Sequence, residues 1–243
     1  MKDFLAFKTV LSSVRRCAQN YKMIDEGDKI AIGVSGGKDS LTLLCALALM
    51  RRFYPVQYDV VAITVDIGLG DMDYTSVKKL CDELEVEYFK VDTKIAEIVF
   101  EKQGDGCSLC SRMRRGALHT EAKRLGCNKV ALGHTKDDVA QTLLMNILYA
   151  GKIEVFWPKN TPDDKDMTLI RPLIYTTEKT IKTFCSKNGL QTVKNTCPYD
   201  KKTKRETVSD IIKSVEKENK GALHRIFRSI EKLEIDGFLD FGE

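Results

Sequence analysis

Apolar residues recur at helical spacing over residues 1–23. Phe4, Phe7, Val10, Leu11, Val14, Cys17 and Tyr21 form one stripe, and Lys8, Arg15, Arg16 and Lys22 fall largely off it. This predicts an amphipathic lead-in helix. Beyond Gly27 the period changes. Residues 29–34 are short, apolar and rich in β-branched side chains, as a buried strand should be, and a glycine-rich turn then leads into the apolar run 41–50. The alternation continues with strand 59–65, helix 74–84, strand 87–91, helix 111–125, strand 129–132 and helix 137–149. Strands joined by helical crossovers pair in parallel. The expected fold is therefore α/β, a doubly wound, mostly parallel five-stranded sheet with helical extensions at both ends.

Past Gly151 the pattern loosens. The runs 153–157 and 167–170 flank Pro158, Pro162, Asp163 and Asp164, which predicts a hairpin or an excursion loop. Helices follow at 178–188, 205–218 and 223–233. Three units are expected: an N-terminal helix over 1–27, an α/β domain over 28–195 and a C-terminal helical extension over 196–243.

Composition narrows the class. With 43% apolar and 30% charged residues in 243, the chain is globular, not disordered, collagen-like or coiled coil. Its net charge of +4 is too small to imply a nucleic-acid partner by itself. The run 41–50 is about half the length a membrane span needs, and residues 1–21 carry Lys2, Asp3, Lys8, Arg15 and Arg16 where a secretion signal would be apolar. Eight cysteines are too sparse for a disulfide scaffold in a chain of this length. A cytoplasmic, reducing setting with no membrane is expected.

Ser35-Gly36-Gly37-Lys38-Asp39-Ser40 lies between the first strand and its helix, where backbone N–H groups and a helix dipole converge on an anion. Two glycines permit close approach and unusual backbone angles, Ser35 and Ser40 add hydroxyls, and Lys38 adds charge. The string is neither G-x-x-x-x-G-K-[ST] nor G-x-G-x-x-G. Two further segments end strands on the same edge: 62–66, closing on Asp66, and Gly133-His134-Thr135-Lys136-Asp137-Asp138. Isolated paired carboxylates at a helix start are ordinarily caps. At a ligand edge they suit Mg²⁺ or the positioning of an activated intermediate.

Cys107-Ser-Leu-Cys110 is a C-x-x-C at the start of a predicted helix, open among half a zinc site, a redox pair and part of an iron–sulfur site. Cys17, Cys45, Cys81, Cys127 and Cys185 sit on helix faces or a helix end and read as packing. Cys197 lies instead in a turn, Asn195-Thr-Cys197-Pro-Tyr199, before Lys201, Lys202, Lys204 and Arg205. From the residues alone it is either a buried turn cysteine or a third thiolate.

The S-G-G-x-D-S string resembles the signature of the pyrophosphate-loop (PP-loop) ATPases. Together with Cys107-Ser-Leu-Cys110-Ser-Arg-Met-Arg-Arg115-Gly, the 132–138 segment with Gln141-Thr-Leu, and Ile170-Arg-Pro-Leu173, it is similar to the tRNA 2-thiocytidine synthetase family and its thiouridine relatives. The likeness runs from about residue 23 to 205. It implies the adenine nucleotide alpha-hydrolase fold, an ATP site at Ser35, Gly36, Gly37, Lys38, Asp39, Ser40, Asp66, Gly133, His134 and Asp138 with Mg²⁺, and a 4Fe-4S cluster on Cys107, Cys110 and Cys197. It also implies that a pyrimidine C2 carbonyl is adenylated, cytidine in preference to uridine, and that sulfur then displaces AMP. Asp137 matches the acidic partner of a catalytic lysine in the thiouridine enzymes. Arg114 stands at that lysine's place, and because arginine does not easily release a proton, charge stabilisation is the expected role. Lys194 departs from the pattern, replacing the first of a cysteine pair common in thiocytidine enzymes, and the local Cys-Pro-Tyr resembles the thiouridine group.

The implied partners are tRNA and a sulfur donor, either sulfide or a cysteine desulfurase persulfide. Residues 112–129 carry Arg112, Arg114, Arg115, Lys123, Arg124 and Lys129 against Glu121, and residues 194–205 carry five cations against Asp200. Both segments flank the candidate cysteines and suit a phosphate backbone. The apolar face of the first helix suits either the core or a homodimer contact. Competing readings are an ammonia-using amide-forming synthetase, a sulfur transferase acting on something other than tRNA, and a non-catalytic nucleotide- or metal-binding regulator.

Overall fold

The structure, a computed structural model, describes residues 4–70, 72–101, 106–161, 167–194, 197 and 204–232. Helix α1 (Phe4–Asn20) leads into β1 (Asp28–Gly33), α2 (Lys38–Met50), β2 (Tyr58–Asp66), α3 (Thr75–Glu83) and β3 (Glu87–Asp92). Then follow α4 (Ile95–Glu101), α5 (Gly106–Arg124), β4 (Lys129–Ala131), α6 (Lys136–Ala150), β5 (Lys159–Asn160) and β6 (Thr168–Ile170). A 3-10 turn, Pro172–Tyr175, precedes α7 (Glu178–Asn188), α8 (Lys204–Glu218) and α9 (Ala222–Glu231).

The strands order as β3-β2-β1-β4-β6-β5. The first five are mutually parallel, as expected, and β5 adds a two-residue antiparallel edge on β6. Side chains alternate across β1: Ile30 and Ile32 enter one apolar cluster with α1, α2, α3 and α7, while Ala31 enters a second with Leu118 and Ala122 of α5. Helices therefore cover both faces. The expected hairpin exists but is shifted. Residues 153–157 form no strand, Trp157 is 71% exposed, and the pairing falls on Lys159↔Ile170 and Asn160↔Leu169.

The apolar stripe of α1 is spent inside the chain. Phe7, Val10, Val14, Cys17 and Ala18 are buried, and the Phe7 ring meets Phe184 of α7 edge-on at 4.8 Å. Of the two roles considered above for this face, these five side chains serve the core. Lys129, grouped above with the basic surface, is buried instead. Its ammonium lies 2.6 Å from both Asp25 and Asp28 and clamps the link before β1 to β4. Val208 and Ile212 of α8 pack with Ala140 of α6 in a small third cluster. No helix among the described residues is long and apolar enough to cross a membrane.

Candidate active site

Strands β1 and β4 are neighbours, yet the chain leaves β1 for one side of the sheet and reaches β4 from the other. Such a switch point opens a crevice at the carboxyl ends of the strands. A cavity of about 350 Å³ lies there, lined by Gly33, Val34 and Ser35 after β1, Asp39 and Ser40 of α2, Gly133 and His134 after β4, Asp138 of α6, and Arg114 and Arg115 of α5. The loop is braced by its own hydroxyls. Ser40 Oγ donates to the Gly37 carbonyl at 2.9 Å and accepts from the Ser35 N–H at 3.2 Å. No side chain caps α2, so its first-turn N–H groups remain available to an anion. Only Gly36 needs the left-handed region, at φ +79°, whereas Gly37 is ordinary extended backbone at φ −77°. A Cβ on Gly133 would stand 3.1 Å from the Asp39 backbone and 3.2 Å from Ser40 N, so the two strand-end turns press directly on each other.

Asp39 carries one committed and one uncommitted oxygen. Oδ2 accepts from Lys38 Nζ at 2.9 Å, and Oδ1 is buried without a hydrogen-bond partner. Burial pushes the Asp39 carboxyl above the usual range, with Asp138 and Glu178 adding to the rise and Lys38 opposing it. Burial works against the charge on Lys38 too, but Asp39 and Glu178, the latter at 3.2 Å, outweigh it and raise the ammonium's pKa. Asp138 closes a capping box with Thr135 and pairs through Oδ1 with Arg205 Nη1 at 2.9 Å.

His134 is held neutral. Burial, aided by the Arg171 guanidinium, drives its pKa down to about 4. Arg171 Nε donates to His134 Nδ1 at 3.2 Å, which assigns the ring proton to Nε2. The Phe156 ring lies 4.7 Å from the imidazole and 4.8 Å from the Arg171 guanidinium, and Arg171 also donates to the Trp157 carbonyl. The apolar run that failed to form a strand thus serves as the backing of His134.

Five expected residues stand outside the cavity linings: Gly36, Gly37 and Lys38 of the phosphate loop, and two carboxylates, Asp66 and Asp137. Asp66 closes β2 but is tied up, with Oδ1 on the Gly68 N–H at 3.0 Å and Oδ2 on Lys90 at 3.0 Å. Asp137 accepts from the Glu178 N–H at 2.8 Å, joining the starts of α6 and α7, and burial pushes its carboxyl up.

The cysteines divide by exposure. Cys17, Cys45, Cys81, Cys127 and Cys185 are buried, whereas Cys107, Cys110 and Cys197 line one further cavity of about 540 Å³ with Gln141, Glu178, Arg205 and Glu206. Helix α5 starts at Gly106, earlier than expected, and places Cys107 and Cys110 three residues apart in its first turns. Three thiols on one cavity are the donor set of an iron–sulfur cluster. Among the described residues no three His, Cys, Asp or Glu side chains are gathered around a single metal ion, a tighter arrangement than the separate irons of a cluster ask of three thiols. Asn195, Thr196, Pro198, Tyr199, Lys201 and Lys202 lie outside the described residues. Arg114 lines both cavities and marks their junction. Glu178 was not singled out in the sequence, Arg171 appeared only inside the Ile170–Leu173 string, and Arg205 only in the basic segment 194–205, none with a role of its own at the site. Of the three, only Arg171 carried a usable signal, a cation directly after a strand on the ligand edge.

A nucleotide-sized crevice with a self-braced phosphate loop defines an ATP-binding α/β protein, and the chain belongs to the PP-loop domain family, whose pattern it matches over residues 10–215. The tRNA-cytidine(32) 2-sulfurtransferase of Geobacter metallireducens is 35% identical, over 98% of this chain and 95% of its own. That of Pelobacter propionicus is 37% identical, over 90% and 83%. The solved structure of U34-tRNA thiolase NcsA from Methanococcus maripaludis with its 4Fe-4S cluster matches with a TM-score of 0.79 at 28% identity, covering 98% of this chain and 86% of that one. NH3-dependent NAD synthetase from Campylobacter jejuni, at TM-score 0.51 and 13% identity over 96% of this chain and 98% of its own, shares the fold alone.

Proposed function

We propose that this chain is an ATP-dependent tRNA sulfurtransferase of the cytoplasm that activates the C2 carbonyl of cytidine 32 and replaces its oxygen with sulfur, releasing AMP and pyrophosphate. The observation that carries the reading is the shared wall: Arg114 lines both the phosphate-loop cavity and the three-cysteine cavity. The names of the cytidine(32) relatives support the substrate and the base. The cluster in NcsA supports the cofactor.

The Ser35 and Ser40 hydroxyls, the first-turn N–H groups of α2 and the charge on Lys38 hold the triphosphate. Asp39, through its uncommitted Oδ1, would hold Mg²⁺, with Asp138 joining it on release from Arg205; when bound, the ion would supply neutralisation of phosphate charge. The C2 oxygen attacks the α-phosphorus, and the bond to pyrophosphate breaks. Neutral His134 offers its Nε2–H as a donor to the bound nucleotide or carbonyl. Arg114 stabilises negative charge where the cavities meet, since a guanidinium does not serve as a proton donor. Asp66 and Asp137 act from behind, fixing the end of β2 and the start of α7.

Cys107, Cys110 and Cys197 would hold a 4Fe-4S cluster, which when bound offers an iron without a protein ligand to sulfide. Sulfur delivered as hydrosulfide forms the C2–S bond as the C2–O bond breaks, and AMP carries the oxygen away without net oxidation. A cysteine desulfurase persulfide as donor would need two electrons from an external thiol. An amide-forming synthetase remains the competing reading, but it leaves the cysteine cavity without a role.

The test is an anaerobic assay with unmodified tRNA, ATP, Mg²⁺ and sulfide, followed by nucleoside mass spectrometry. Equal amounts of 2-thiocytidine, AMP and pyrophosphate are expected. ATP turnover that ignores tRNA and sulfide would refute the assignment.

A further inference from the structure

The strand-edge loop and the third cysteine meet at an unexpected place. Gly36 adopts φ +79°, and the space above its Cα is filled: a Cβ there would stand 2.5 Å from Val193 Cγ2 and 2.7 Å from Val193 Cβ. The Val193 N–H donates to the Gly36 carbonyl at 3.0 Å. Val193 is half-buried and packs against the main core, while the residues on either side of it, Thr192 and Lys194, are exposed. Cys197 follows four positions later. The glycine at the crown of the phosphate loop is thus small for the sake of Val193 as much as for a phosphate. Gly37, where an added Cβ would meet only Ser35 Oγ at 3.5 Å, is the glycine with open space.

We propose that Val193 is a positioning residue that couples the phosphate loop to Cys197, so that nucleotide in the first cavity sets the placement of the third thiol in the second. A loop closing on a triphosphate moves the Gly36 peptide. Because Val193 is both hydrogen-bonded to that peptide and in van der Waals contact with it, a shift of the loop reaches Val193, four positions before Cys197. Linkage makes the coupling reciprocal: a ligand that fixes Cys197 strengthens nucleotide binding by the same factor. The consequence for the reaction is order, with the sulfur-handling thiol set only when ATP is in place. The inference rests on the proposal that the loop binds ATP and that Cys197 serves the second cavity.

The test uses the full chain, purified anaerobically and stripped of iron, with α,β-methylene-ATP as the probe. The alkylation rate of each cysteine is read by peptide mass spectrometry at saturating nucleotide. In the wild type the Cys197 rate is expected to change about fivefold or more, a typical coupling strength. In Val193→Gly and Val193→Ala the change falls below about twofold, with nucleotide still bound. Cys107, on α5, is the internal control. A nucleotide effect equal on Cys107, Cys110 and Cys197, or one undiminished in the variants, overturns the coupling.

A second readout needs no variant. Amide exchange at Val193 is expected to slow when nucleotide binds, and an unchanged rate also overturns the coupling. Iron reconstitution separates this inference from the reading beneath it. Protein that takes up iron but shows no nucleotide effect on Cys197 loses the coupling and keeps the cluster. Protein that shows the effect but takes up no iron keeps the coupling and loses the cluster.

Discussion

The two cavities are built on opposite principles. The nucleotide cavity is walled by backbone at the ends of β1 and β4. Its loop is braced by hydroxyl bonds spanning a few residues, and Gly133 is pressed against Asp39 and Ser40. The cysteine cavity is assembled from side chains of α4, α5, α6, α7 and α8 together with residues 67, 69 and 197. Its rim carries exposed side chains such as Cys107, Arg114 and Arg205. A phosphate group is small and invariant, so a cradle shaped by backbone suits it. A large substrate enters and leaves, and the wall that would admit it is built from side chains of several helices.

The largest expected effect breaks the comparison at the second cavity. Cys110→Ser should lower thiolation by about 100-fold or more, as loss of a ligand does, while ATP affinity stays within about twofold. Anaerobic activity and a nucleotide titration on the same preparation check both halves. A variant that thiolates normally would leave the cysteine cavity without its assigned function.

The next effect divides the paired carboxylates. Asp138→Asn and Asp39→Asn should each lower pyrophosphate release by about 100-fold, the scale of losing one preorganised electrostatic contact. Asp137→Asn keeps a weaker acceptor for the Glu178 N–H. It should cost about 1 kcal/mol of stability, as weakened caps do, with a smaller loss of rate. Melting temperatures beside pyrophosphate assays decide the matter. If Asp137→Asn proved the most damaging, the acidic role would return to Asp137, where the resemblance placed it.

The parts of this site that could be read from the sequence were the local ones. Ser35 to Ser40 and Gly133 to Asp138 each form a contiguous string after a strand, and strand ends on one edge share a ligand face whatever the rest of the chain does. The burial of Cys17, Cys45, Cys81 and Cys185 was also readable, because helical periodicity reports burial. What was not readable depends on contacts between distant residues. Asp66 has the right edge position, yet Lys90, two positions back in the register of β3, takes its carboxylate. Val193 touches Gly36 across more than 150 residues, and no spacing rule announces it. Helix α4 was missed because at seven residues it shows barely two turns of pattern.

Glycine substitutions sharpen the contrast between a wall of backbone and a wall of side chains. Gly133→Ala forces a Cβ against backbone that cannot swing aside, so it should cost about 1–3 kcal/mol and weaken nucleotide binding. At Gly106, beside the cysteines, the added Cβ meets the tip of the Val99 side chain at 3.1 Å, which can shift by a few tenths of an ångström. Alanine is also the better helix former by about 1 kcal/mol. Gly106→Ala should therefore leave stability within about 1 kcal/mol of the wild type. Denaturant unfolding of the pair measures the difference, and equal losses would mean that the second wall is as stiff as the first.

The smallest effect probes the first wall through its histidine. His134 has a folded pKa lowered from 6.5 to about 4, so the folded state resists a proton that the unfolded chain accepts. The stability this contributes is fully present above pH 6.5 and is lost as the pH falls from there toward 4. Between pH 7 and pH 6 the folded group stays neutral, so the loss follows the unfolded imidazole alone and amounts to about 0.7 kcal/mol. Comparing wild type with His134→Gln removes the contributions of the other two histidines, which titrate in both proteins. The gap between their stabilities should narrow by that amount over the interval. A constant gap would mean that His134 takes up a proton in the folded state as readily as in water, and that the stack of Phe156 and Arg171 does not keep it dry.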